Sequence, residues 1–119
     1  MNTPNETPVN PADLNGAILV ICNCPDAACA ERLATGLLAA RLAACVSRPA
    51  AVTSTYHWNG AIETAQEFPL HIKTSLSAWP RLQAWLAGQH PYDVPEIIAL
   101  PIVAGLPDYL AWINQEVNA

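Results

Sequence analysis

The chain has 119 residues, of which 13% are charged and 52% hydrophobic, with a net charge of −5. That length suits one domain with its own core, but the charge content is about half of the roughly 25% usual in soluble domains, so part of the apolar surface is expected to be covered by another subunit. The basic residues Arg32, Arg41, Arg48, Lys73 and Arg81 are scattered, which leaves no stripe to engage phosphates and argues against nucleic acid as a partner.

The opening stretch "MNTPNETPVNPADLNG" has neither a basic start nor an apolar stretch behind it. It does not read as a signal peptide, and residues 1–15, rich in Pro and Asn, are predicted to be a disordered tail. The apolar runs "AILVIC" and "EIIALPIVA" fall short of the about 20 residues needed to cross a bilayer, so no membrane association is expected. A cytoplasmic location follows, where thiols stay reduced, and the four cysteines then do not imply disulfides.

A single domain is expected over 16–119. "GAILVICN" (16–23) is a short apolar run between turn residues and predicts a strand buried on both faces. "PDAACAERLATGLLAARLAAC" follows, with Ala30, Leu33, Ala34, Leu37 and Leu38 at helical spacing and Pro25 or Asp26 at the start. "AAVTSTYHW" then alternates with period two and meets Asn59-Gly60, a strong hairpin signal.

The return strand "IETAQEFPLHIKT" places Phe68, Leu70, Ile72 and Thr74 on one face. Pro69 cannot donate to a ladder, so a bulge or a local edge is expected there. A second helix is predicted over "SLSAWPRLQAWLAGQ", capped by Ser77, with Pro80 in its first turn and Gly88 near its end. His90 precedes Pro91 and should be extended. "EIIALPIV" (96–103) reads as a strand and "PDYLAWINQEV" (107–117) as a terminal helix.

The order β-α-β-β-α-β plus a helix predicts an α+β, ferredoxin-like antiparallel sheet, with both long helices on one face and the first strand between the third and fourth. That topology brings the end of the first strand, with Cys22 and Cys24, beside "QHPYDVPE" (89–96) at the head of the fourth. The hairpin tip with His57, Trp58 and Asn59 points to the same end.

"ARLAACV" (40–46), "YHWNG" (56–60), "HIKT" (71–74), "HPYDVPEIIALPI" (90–102) and "YLAWI" (109–113) together resemble the CutA family of divalent-cation tolerance proteins. The resemblance spans about residues 17 to 117. It implies a ferredoxin-like subunit, a homotrimer whose strand pairing extends between subunits, and a role in tolerance and response to copper and other divalent metal ions. It also implies a likeness to trimeric PII signalling proteins, which bind small effectors between subunits. Cys22 and His90 match residues assigned as copper ligands in the family, and Gln89 stands where some members carry a second histidine.

Each residue also has a plainer reading. Cys22 is either a metal ligand or a small hydrophobe on a core strand. Cys24 is either a third ligand, on the same strand face as Cys22, or a small residue at the helix entrance. Cys29 and Cys45 are read as packing residues, and the spacing does not match a Cys-x-x-C redox pair. Copper or another divalent ion is the candidate ligand and is not expected to be needed for folding. Trp58, Glu67, Lys73, Tyr92 and Glu96 are expected near the subunit boundary, as interface residues or as the lining of an intersubunit effector pocket. Trp79, Trp85 and Trp112 are read as packing or interface anchors. No nucleophile elbow, phosphate loop or dinucleotide fingerprint is present, so an enzyme is not expected.

Overall fold

Apolar alternation sets the central strand. In the computed structural model, which describes residues 16–117, β1 spans Ala17–Cys24. Ile18, Val20, Cys22 and Cys24 are buried, whereas Leu19, Ile21 and Asn23 are only half-buried. Burial on both faces was the expectation; the first two helices pack on the face of Val20 and Cys22, and the other face is covered only in part. The predicted tail at 1–15 lies outside the described residues, as do 118 and 119.

Helix α1 runs Ala27–Ala39. Asp26 is its N-cap, its Oδ1 accepting the Cys29 N–H at 2.7 Å, which satisfies one of the amides left open at a helix start. Cys29, Ala30, Leu33 and Leu37 face the core, while Leu38 turns to solvent. Gly36 permits a close approach: a Cβ there would lie 2.6 Å from Trp85 Cη2.

The predicted second strand forms β3, Val52–Trp58, and a short strand not expected from the sequence, β2, Cys45–Ser47, precedes it; both are antiparallel to the long β4, Ala61–Ser75. Asn59 and Gly60, at φ 49° and 79°, turn the β3–β4 hairpin with the left-handed pair such a turn needs. β2 pairs with His71 to Lys73 and β3 with Ala61 to Glu67. Among the described residues, Phe68, Pro69 and Leu70 therefore have no strand partner on the edge away from β1. Pro69 sits at this interruption, the local edge that a residue without an N–H tolerates.

After β4, Ser75 rather than Ser77 does the capping. Its Oγ accepts the Ala78 N–H at 3.3 Å and opens a 3-10 turn over Leu76–Ala78. Helix α2, Trp79–Gln89, follows without a side-chain cap, and Gly88 lies inside it rather than ending it. His90 ends the helix at φ −76°, ψ 140°, the extended conformation that a following proline favours. The last strand is β5, Ile97–Pro101, shorter than expected, and α3 spans Pro107–Glu116 with Ile113 fully buried.

The sheet order is β2-β4-β1-β5, with β3 also on β4. β1 is antiparallel to both neighbours. The core lies between one sheet face (Val20, Cys22, Leu70, Ile72) and the helices (Leu33, Leu37, Leu82, Leu86), with Trp79 and Trp85 packed at its margin. Cys45 is not in this core. It pairs with Lys73 and shares the opposite face with Leu19, Ile21, Ile98 and Leu100. Ile98 and Leu100 on that face are 48% and 40% exposed.

Candidate metal centre

Strand register assembles the centre. Cys22 lies opposite Leu70 on one side and Ile97 on the other, and Cys24 opposite Phe68. Both thiols fall on the core face because side chains two apart share a face. α2 delivers His90 at its end, and the ring folds back over β1. One donor atom each from Cys22, Cys24 and His90 lies within 4.8 Å of the others, all three side chains buried.

Both imidazole nitrogens are engaged. The Tyr92 N–H donates to Nδ1 at 3.1 Å, so that nitrogen carries no proton, and Nε2–H donates to the Asn23 carbonyl at 2.7 Å. The ring of Tyr92 also lies against His90, centroids 4.9 Å apart. His90 thus clamps the 90–92 turn to the end of β1 as well as offering a ligand.

The Cys22, Cys24 and Cys29 thiols influence one another. The Cys22 thiol beside it, then burial, hold the Cys24 thiol far above the usual range. Burial, with Cys24 beside it, pushes Cys29 up to about 11. The Cys24 and Cys29 thiols are therefore protonated at neutral pH, and a metal bound at Cys24 would have to displace its proton. Arg32 stands at the edge of the set: its Nη2 donates to Cys29 Sγ at 3.8 Å and to the Gln89 carbonyl at 3.3 Å.

The residues expected at a second pocket separate into two places. Trp58, Glu67, Tyr92 and Glu96 line one groove of about 1050 Å³ between the β3–β4 hairpin and the 91–96 loop, together with Tyr56, Glu63 and Asp93 among others. Burial, then the Glu67 carboxylate, raises the Tyr92 phenol above its ordinary range. Lys73 lies elsewhere, further along β4, where its Nζ donates to Ser47 Oγ at 2.8 Å and to Cys45 Sγ at 3.9 Å. The hairpin tip does not join the thiols either. Cys24 is level with Phe68 while Trp58 is level with Ala61, so the tip stands about 20 Å beyond the end of β1.

Sequence reasoning missed two participants. Arg32, whose guanidinium reaches the Gln89 carbonyl, and the Asn23 carbonyl, which accepts from His90, carry no local signal, because those partners lie across the fold. Cys29, read as packing, is buried in the core on α1.

Comparisons with known proteins agree with this architecture. The family described as CutA1 divalent ion tolerance protein matches residues 18–116. The divalent-cation tolerance protein CutA of Pectobacterium atrosepticum is 45% identical over 102 residues, covering 86% of this chain and 93% of that protein. The crystal structure of CutA from Xylella fastidiosa superposes with a TM-score of 0.84 at 43% identity, over 87% of this chain and 99% of that one. A structure of CutA from Archaeoglobus fulgidus, described as a periplasmic divalent cation tolerance protein, gives 0.83 at 34% identity over 86% and 99%. The Pectobacterium and Archaeoglobus relatives are named as divalent-cation tolerance proteins, and no helix among the described residues is long and apolar enough to cross a membrane. The chain belongs to the CutA1 divalent ion tolerance protein family.

Proposed function

We propose that this chain binds a thiophilic metal ion, copper or another divalent metal, through Cys22, Cys24 and His90, and so contributes to metal tolerance. The observation that carries the reading is the convergence of the three donors within 4.8 Å. Thiolates favour Cu(I) and Zn(II), and imidazole suits copper and zinc. Two thiols and one imidazole fit such an ion and would hold it on the core side of β1. Binding exchanges two thiol protons and one of the His90 hydrogen bonds for metal bonds.

The same proposal takes the protein as a cytoplasmic homotrimer of ferredoxin-like subunits, with no nucleic-acid or membrane partner. The low charge content and the half-exposed Ile98 and Leu100 beside Leu19 and Ile21 support association through the sheet face away from the helices.

A second reading, a PII-like regulatory or scaffold trimer, draws on the groove. Tyr56, Trp58 and Tyr92 with Glu63, Glu67, Asp93 and Glu96 suit a cationic effector better than an anionic one.

The test is a titration of the reduced protein with Cu(I), Cu(II) and Zn(II) against competing chelators, in wild type and in Cys22→Ala, His90→Ala. Stoichiometric binding lost in the variant supports the metal reading. Weak binding that survives the variant overturns it and turns attention to the groove, where a thermal-shift screen of metabolites decides.

A further inference from the structure

The groove of about 1050 Å³ between the β3–β4 hairpin and the 91–96 loop has a wall set by strand register. Tyr56 lies opposite Glu63, Ser54 opposite Ala65 and Val52 opposite Glu67, and alternation puts all of these side chains on one face of the hairpin. Glu63 and Glu67 are therefore about 13 Å apart along β4. Between them lie the small side chains of Ser54 and Ala65, which leave a trough with a carboxylate at each end. Trp58 continues the same face toward the hairpin tip, and the loop supplies the facing wall with Tyr92, Asp93 and Glu96.

The chemistry of this lining is one-sided. It carries four carboxylates and, among the described residues, no lysine, arginine or histidine. Tyr56, Trp58 and Tyr92 are 38%, 59% and 42% exposed, so three aromatic rings are open to a ligand in the same groove. An anion would meet only repulsion there. An inorganic cation would use the carboxylates but not the rings, and one compact ammonium group would not reach both ends of the trough. We propose that the groove binds a linear aliphatic polyamine, its ammonium groups paired with the carboxylates along the trough and its methylene chain laid on the aromatic faces. The proposal rests on the groove reading above and adds to it a ligand class and the residues that select it. Each ammonium–carboxylate pair is exposed and individually weak, so affinity comes from several pairs made at once and falls with salt.

The experiment titrates the reduced full chain with spermidine, putrescine and Ca(II) by calorimetry, at low and at physiological salt. Wild type is expected to bind spermidine with submillimolar affinity, about tenfold more tightly than putrescine, and about tenfold more weakly at the higher salt. A Glu63→Gln, Glu67→Gln double variant should bind spermidine about tenfold more weakly, and Trp58→Ala about threefold more weakly. Glu31→Gln, on the exposed side of α1 and outside the groove, should match wild type. Circular dichroism checks that each variant is folded, and light scattering gives its mass. Unchanged affinity in the double variant overturns the proposal. So does Ca(II) binding as tightly as spermidine, which would leave only an acidic patch. A lower particle mass in the double variant would show the groove filled by a second copy, and overturns it too. In a thermal-shift panel, a neutral or anionic metabolite whose binding Trp58→Ala removes overturns the polyamine and keeps the second reading. If neither polyamines nor these metabolites bind, both fall.

Discussion

His90 Nε2 donates a 2.7 Å hydrogen bond to the carbonyl of Asn23, a residue 67 positions earlier in the chain. With Tyr92 N–H on Nδ1, the ring joins the turn after α2 to the end of β1. His90→Ala should therefore destabilise the metal-free protein by about 1–3 kcal/mol, since two backbone groups lose their partner. Urea unfolding with a chelator present, at fixed protein concentration, measures this. An unchanged midpoint would leave His90 without a structural role.

Gly36 faces the Trp85 indole, and a Cβ there would sit 2.6 and 2.7 Å from two ring carbons. Gly36→Ala is expected to destabilise the protein, because overpacking costs about 1–3 kcal/mol against a helix-propensity gain of about 1 kcal/mol. In a Trp85→Leu background the same change should become neutral or stabilising. A double-mutant cycle by thermal or urea unfolding reads the sign reversal.

Thr74 is fully buried and its hydroxyl donates to the Leu42 carbonyl at 2.7 Å. Thr74→Val keeps the shape and removes the donor. The expected loss is about 1–3 kcal/mol, measured by the same unfolding assay, and a smaller loss in Thr74→Ser would separate the hydrogen bond from the packing.

Ile98 and Leu100 share a face of β5 and are half-exposed. An Ile98→Asp, Leu100→Asp double variant should lower the particle mass in light scattering from that of wild type, because two buried carboxylates would oppose association through that face. An unchanged mass would place the subunit contact elsewhere.

Much of the fold is legible in the chain itself because its signals are local. Helical spacing from Ala30 to Leu37 marks α1, Asn59-Gly60 marks the hairpin, and Pro91 makes His90 extended. Alternation also places Cys22 and Cys24 on one face. The errors are local competitions of similar strength. Ser75 and Ser77 are both good caps, and only the geometry after β4 selects Ser75. Ala50 and Ala51 look continuous with the strand after them, yet β3 begins only at Val52, and the gap between β2 and β3 leaves Pro69 its edge.

By itself, then, the sequence determined the elements, their order and the pairing that brings β1 beside the head of β5, since these follow from periodicity and turn chemistry within a few residues. It also placed the two ends of the candidate centre together. The tertiary structure alone decided which atoms meet: that His90 spends both nitrogens on backbone groups, that Lys73 serves Ser47 rather than the groove, and that Arg32 reaches both Cys29 and the Gln89 carbonyl. Those contacts depend on strand register and on how far a helix end leans over a sheet. Neither is written in any local pattern, because each is set by how the whole core packs.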